Sequence, residues 1–214
     1  KLDKLEQLKK GFLQRLFPSN GQKVPVIRFA DFTADWEQRK LGEVTVERSE
    51  RSDHGELLSV TMHDGIKKFS MLDKKDNSSA NKSNYKVVRA GDIAYNSMRM
   101  WQGANGLSQY DGIISPAYTV LKLKPGLDGL FTSYLFKRTE LIWLFRTHSQ
   151  GITSDTWNLK YPALAEINVT IPVEKEQKEI TKMLRHLDNR IALQIQNLTT
   201  FKHLKSALLQ KLFV

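Results

Sequence analysis

The chain has no cysteine, which excludes a disulfide framework and a thiolate metal site and fits a reducing, cytoplasmic setting. No apolar run approaches the ~20 residues that a spanning helix needs, so no membrane partner is expected. Catalytic signatures are missing as well. There is no G-x-x-x-x-G-K-[ST] phosphate loop, no G-x-G-x-x-G, no H-E-x-x-H and no G-x-S-x-G. The five histidines, at 54, 63, 148, 186 and 203, fall in no ligand spacing. His63-Asp64 has the composition of a base with its orienter, but such a pair at a strand end also reads as a polar turn. Glu176-Gln-Lys178 superficially resembles the Glu-x-Lys of some nucleases, yet no Pro-Asp precedes it at a useful distance, and a carboxylate at a helix start already complements the helix dipole. The expectation is therefore no catalytic residue, no metal and no cofactor.

What is present is a chain of 214 residues, 40% apolar and 26% charged, long enough to bury a core and composed like a globular protein. Its net charge of +10 suggests a polyanionic partner, and the distribution of that charge locates it. Residues 1–17 and 172–214 carry +3 and +4, residues 18–64 carry −3, and residues 106–171 carry +1. Residues 65–105, with 8 basic and 3 acidic side chains, stand out at +5.

The two ends of the chain repeat each other. A shift of 196 positions places Leu2 on Leu198, Leu8 on Leu204, Lys9 on Lys205, Leu13 on Leu209, Gln14 on Gln210, Leu16 on Leu212 and Phe17 on Phe213. Two amphipathic Leu/Lys helices would resemble each other by composition, but identity at L-Q-[RK]-L-F goes beyond shared periodicity. This period far exceeds that of solenoid repeats and implies duplication of a whole half-protein, of which the chain holds one period and the tail of the preceding one. A first residue of Lys and a helix that begins abruptly fit a piece of a longer chain.

From Pro172 onward Ile180, Leu184, Leu187, Ile191, Ile195, Leu198, Phe201, Leu204, Leu208 and Leu212 recur at steps of three and four. No Gly or Pro interrupts them, which predicts one helix about 57 Å long at ~1.5 Å per residue. Such a stripe wants a partner helix, so the segment reads as a coiled-coil spacer, and a homodimer through antiparallel long helices is expected. Residues 18–35 have turn residues, two prolines and no periodicity, and form a connector. Strands are predicted at 57–62, 85–89, 92–96, 117–123 and 167–171, and one or two helices at 129–147. The fold class is α+β: a mixed α/β domain over 36–171 followed by a long C-terminal helix over 172–214, with a short N-terminal helix over 1–17.

Three polar stretches are suited to reading a surface. In 74–89, Lys74, Lys75, Lys82, Lys86 and Arg89 alternate with Asn77, Asn81, Ser83, Asn84 and Tyr85. Cations neutralise phosphates, whereas Asn and Ser supply the donors and acceptors that base edges demand. A solvated loop is the plainer reading of the same residues. In 95–106, Asn96, Arg99, Gln102 and Asn105 stand among Met98, Met100 and Trp101, with Trp101 equally suited to core and to contact. In 146–158 the run includes His148, Ser149, Gln150 and Ser154.

The runs V-P-V-I-R-F (24–29), WEQRKLGE (36–43), GDIAYN (91–96) and ISPAYTVLK (114–122), with Pro172, Glu176, Gln177, Ile180, Leu184, Asp188 and Ile191 in P-x-x-x-E-Q-x-x-I-x-x-x-L-x-x-x-D-x-x-I, together resemble the specificity subunit of type I restriction-modification enzymes. That family carries two target-recognition domains in tandem, each followed by a long helix, and the paired helices set the spacing between two DNA half-sites. The resemblance implies that residues 1–17 end a preceding spacer helix, that 36–171 read one half of a split target, and that 172–214 are the spacer helix belonging to it. It implies as partners double-stranded DNA, methylation subunits and, through these, restriction subunits, with a role in host defence. Cutting and methylation would belong to those other subunits, and the chain has neither F-x-G-x-G nor N-P-P-[YF]. Candidate DNA contacts are Lys74, Lys75, Asn81, Lys82, Ser83, Asn84, Tyr85, Asn96, Arg99, Gln102, His148, Ser149, Gln150 and Ser154. Candidate helix and subunit contacts are Ile180, Leu184, Leu187, Ile191, Ile195, Leu198, Leu208 and Leu212. The alternative is a coiled-coil adaptor that binds protein and reads no bases; a nuclease with an unrecognised site is the third possibility.

Overall fold

A computed structural model describes residues 2–19, 21–62, 65–73 and 78–212. In chain order the elements are α1 (Leu2–Arg15), β1 (Glu37–Lys40), α2 (Leu41–Val44), β2 (Thr45–Glu47), β3 (Leu58–Thr61), β4 (Gly65–Lys68), β5 (Lys86–Val88), β6 (Ile93–Asn96), β7 (Asn105–Leu107), β8 (Gly112–Ile114), β9 (Tyr118–Leu123), α3 (Gly129–Leu135), α4 (Thr139–His148), α5 (Tyr161–Ala165), β10 (Asn168–Ile171) and α6 (Glu174–Leu212). Short 3-10 turns add Phe69–Met71 and Met100–Gln102. The chain divides into two compact units, Ala34–Lys178 and a second made of Lys1–Thr33 with Glu179–Val214.

The larger unit is built from antiparallel ladders. Its widest sheet runs β2-β9-β6-β7, with the pairs β1-β10, β3-β4 and β5-β8 beside it. β9 and β6 are central and read YTVLKL and IAYN, and Ile93, Ala94, Tyr95, Val120 and Leu121 are all fully buried. Nearly continuous apolar residues are what strands covered on both faces require. Leu58, Val60, Ile66, Val88, Ala94, Ile114 and Val120 form one core cluster, flanked by Tyr110 and Tyr118. The β3-β4 hairpin lies hard against β7: a Cβ on Gly106 would stand 2.5 Å from Gly65 Cα. Only glycine allows this approach, and it sets the hairpin over the strand that leaves the 96–104 loop.

The sheet and the helices are locked together at the start of α6. Trp36 is 1% exposed, lies 5.9 Å from the Phe131 ring, and donates its indole N–H to Glu176 Oε1 at 3.2 Å. Gln177, fully buried, accepts from Asp128 N at 2.8 Å and donates to Gly126 O and Pro172 O at 2.9 and 2.8 Å. The Asp128 side chain in turn caps α3 through Phe131 N at 2.7 Å. The Glu-x-Lys at 176–178 therefore holds a structural carboxylate, as its place at a helix start suggested.

α6 continues for 39 residues without a break, roughly 58 Å at ~1.5 Å per residue. Glu174 and Glu176 stand in its first turn and Lys211 in its last, each complementing the local end of the helix dipole. In the smaller unit an ion pair of 2.5 Å joins Lys9 of α1 to Asp188 of α6. Ile180, Leu184 and Leu187 are buried, whereas Ile195, Leu198, Phe201, Leu204 and Leu208 are 45–69% exposed. Ile191 is half-buried, and the side chain of Leu212 lies outside the described set. No helix among the described residues is long and apolar enough to cross a membrane.

Candidate nucleic-acid interface

The larger unit carries the three polar stretches, and the fold brings their ends together. Lys86 belongs to the first stretch, Ser97 and Met98 to the second and Asn158 to the third. All four line one cleft of about 410 Å³ with Lys160 and Tyr161. Leu159 N donates to Ser97 O at 2.9 Å, and Trp101 and Trp157 meet edge to face at 5.2 Å.

The 96–104 loop is rigid by its own hydrogen bonds. Asn96 N donates to Ala104 O, closing the loop, and Asn96 Oδ1 accepts from Met98 N at 3.0 Å. Arg99 is the N-cap of the 3-10 turn, and its carbonyl accepts from Gln102 N and Ala104 N. Met100 is buried under the turn, while Gln102 is exposed and Arg99 half-exposed. Asn105, grouped with these by sequence, is fully buried in β7. Trp101, ambiguous in sequence, is half-buried and donates its indole N–H to Met98 O at 3.1 Å.

The 149–158 loop is pinned at its neck, where Gln150 and Asn158 exchange backbone hydrogen bonds of 3.1 and 2.8 Å. Gly151 at φ 145° permits this closure, because a Cβ there would stand 2.6 Å from Thr156 O. Gln150 and Ser154 are exposed. Ser149 Oγ instead donates back to Phe145 O at 2.7 Å, and His148 Nδ1 lies 2.8 Å from Leu144 O, so both finish α4.

In the first stretch Lys74, Lys75 and Asn77 lie outside the described residues, as does His63-Asp64. Asn81 Oδ1 accepts from Ser83 N at 2.9 Å, Lys82 Nζ donates to Ser79 O at 3.2 Å, and Asn84 O accepts from Arg51 at 2.6 Å. Asn81, Ser83 and Asn84 are exposed. Tyr85 is a correction to the expected contact surface. It is 6% exposed and its phenol oxygen accepts from Ser79 N at 3.2 Å, so it braces the loop from within.

Charge on the sequence and charge presented to solvent differ. Three cations of the basic stretch are answered by the acidic stretch before it: Lys68 by Glu56 at 3.7 Å, Lys86 by Glu47 at 3.2 Å and Arg89 by Glu50 at 3.0 Å. Sequence reading also missed Lys137, which stands in an ordinary-looking FKRTE run. Its ammonium donates to Met62 O at 3.1 Å and to Gly103 O, tying the β3-β4 turn to the 96–104 loop. Burial pushes its pKa down to about 8.

The family model described as the type I restriction modification DNA specificity domain matches residues 33–200. The chain belongs to that family. Three solved structures share its fold. The HsdS subunit from Thermoanaerobacter tengcongensis matches at 19% identity and a TM-score of 0.58, covering 92% of this chain and 46% of that one. A structure described by complex assembly and conformational transition of the type I R-M system matches at 18% and 0.60, covering 98% and 52%. The S subunit from M. genitalium matches at 12% and 0.58, covering 96% and 53%. This specificity-domain chain thus spans about half the length of the structures it matches. Comparison with curated proteins returns no match. The coiled-coil adaptor draws no support from these findings.

Proposed function

We propose that the chain reads one half of a bipartite DNA target for a type I restriction-modification enzyme and leaves methylation and cleavage to other subunits. The observation that carries this is the specificity-domain match across both the sheet-built unit and most of α6. The target-recognition domain is residues 36–171, entered through the connector 18–35; residues 1–17 are the end of a preceding spacer helix and 172–214 the spacer of this one. Of the candidate contacts, the exposed or half-exposed Asn81, Lys82, Ser83, Asn84, Asn96, Arg99, Gln102, Gln150 and Ser154 face the DNA together with the edge of His148. Lys74 and Lys75 supply phosphate contacts from the same stretch. The apolar stripe of α6 from Ile195 to Leu208 docks a second long helix, in a homodimer of antiparallel helices, and its neighbourhood docks methylation subunits in the cytoplasm.

The test is selection from a randomised duplex library by the chain assembled with its methylation subunits, over a salt series. A short run of fixed base pairs, held while overall affinity falls with salt, is expected. Indifference to sequence at every salt concentration contradicts the proposal.

A further inference from the structure

The larger unit contains seven arginines, at 39, 48, 51, 89, 99, 138 and 146. Five of them are engaged. Arg39 pairs with Glu37 at 2.7 Å, Arg48 with Asp92 at 2.7 Å, Arg89 with Glu50 at 3.0 Å and Arg138 with Glu140 at 3.2 Å, while Arg51 donates to Asn84 O at 2.6 Å. Arg99 and Arg146 have no carboxylate or carbonyl partner among the described residues. Arg99 was expected from sequence to touch bases, whereas Arg146 was not singled out.

Arg146 is exposed in the last turn of α4, and its guanidinium carbon lies 5.0 Å from the centre of the Trp157 ring. Trp157 meets Trp101 at 5.2 Å, and Trp101 belongs to the 3-10 turn that Arg99 caps. Arg146 therefore stands at one end of a Trp–Trp contact whose other ring lies in the turn that Arg99 begins, where the 96–104 and 149–158 loops meet. The C-terminal end of α4 favours a cation here, and a lysine would serve that purpose equally well. An aromatic face adds something that matters only to arginine. It restrains the plane of the fork and leaves the N–H donors pointing away from the ring. A planar fork with no counter-ion suits two acceptors side by side, and among the base edges of duplex DNA that pair is guanine O6 and N7.

We infer that Arg146, held by Trp157, is a specificity-determining residue that reads a guanine in the major groove. This deepens the proposed function and rests on it. The experiment is the same library selection with the full chain and its methylation subunits, comparing wild type with Arg146→Ala, Arg146→Lys and Trp157→Ala, with thermal unfolding run on each. Arg146→Ala flattens the preference at one G·C pair by roughly ten-fold or more, the size of a bidentate contact, and leaves the other positions intact. Arg146→Lys keeps the charge and does not restore the preference. Trp157→Ala relaxes the same position, with Trp157→Phe as its milder counterpart should the alanine variant unfold. Substituting 7-deazaguanine at that position removes the N7 acceptor, weakening wild type and leaving Arg146→Ala unaffected.

A uniform loss on all sequences that Arg146→Lys repairs makes Arg146 a phosphate contact or a helix-end cation, and the inference fails. Preference that is intact in Arg146→Ala but altered in Arg99→Ala also defeats it, while leaving the proposed function standing. A wild type that prefers no sequence overturns both.

Discussion

At the start of α6, Glu176 and Gln177 are 1% and 0% exposed, and their side chains are tied to Trp36, Asp128, Gly126 and Pro172. On the 96–104 loop and the end of α4, Arg99 and Arg146 reach solvent with no counter-ion among the described residues. Both regions are rich in hydrogen-bonding side chains, yet one is satisfied within the fold and the other is left for something outside it. A buried donor or acceptor without a partner costs about 1–3 kcal/mol, so folding alone selects for completion at the first region. Nothing in folding requires Arg99 or Arg146 to stay unpaired while five other arginines in the same unit find partners.

The largest effect separating the two regions should come from Gln177. Gln177→Ala orphans Asp128 N, Gly126 O and Pro172 O together and should cost about 2–5 kcal/mol, read by chemical denaturation. At ~2–4 °C per kcal/mol, a shift below about 2 °C in Tm would mean that these bonds do not hold the start of α6 in place. Glu176→Ala, which strands the Trp36 indole, should cost about 1–3 kcal/mol, with Glu176→Gln milder because its carbonyl oxygen still accepts.

Lys137, which is bonded to the 96–104 loop, is a half-buried ammonium whose acceptors are two carbonyls. Its pKa of about 8 in the fold lies below the 10.5 of a free lysine, so from about pH 8 to 10.5 the unfolded chain holds more protons than the folded one. Stability from this group therefore rises with pH across that window. Subtracting the curve for Lys137→Met from that of wild type should expose the rise; a flat difference between pH 8 and 10.5 would place the amine in water.

The smallest stability effects should be at the second region. Arg99→Ala and Arg146→Ala should unfold within about 0.5 kcal/mol of wild type. The same holds for Leu204→Ala, at 55% exposure, which should instead weaken self-association in sedimentation. A large loss of stability from either arginine would mean that it serves the fold and not an outside partner.

The long elements were legible because their periods are long enough to be unmistakable. α6 was expected over 172–214 and spans Glu174–Leu212, and strands expected at 92–96 and 117–123 stand at Ile93–Asn96 and Tyr118–Leu123. The strands that escaped were short or carried no alternation. β1 reads EQRK with all four residues exposed, and β7 reads NGL, recruited by its pairing with β6, where Gly106 stands opposite Ala94. The same limit governs the interface. Composition marked 65–105 as basic, but which cations are free depends on carboxylates some 10 to 40 residues earlier, as with Lys86 and Glu47. Arg146 and Trp157 are eleven positions apart and become a pair only when the 149–158 loop closes. Periodicity likewise announced one apolar stripe along α6, whereas burial divides it: Leu184 is covered and Leu204 is not.

Mapping methylated sites in a host that carries the intact system is the direct test of half-site reading by this chain. With wild type, methylation should fall on a split target, and Arg99→Ala or Arg146→Ala in this chain should loosen single positions in one half while the other half stays fixed. A methylation pattern unchanged by both substitutions, or lost at every site alike, would contradict it.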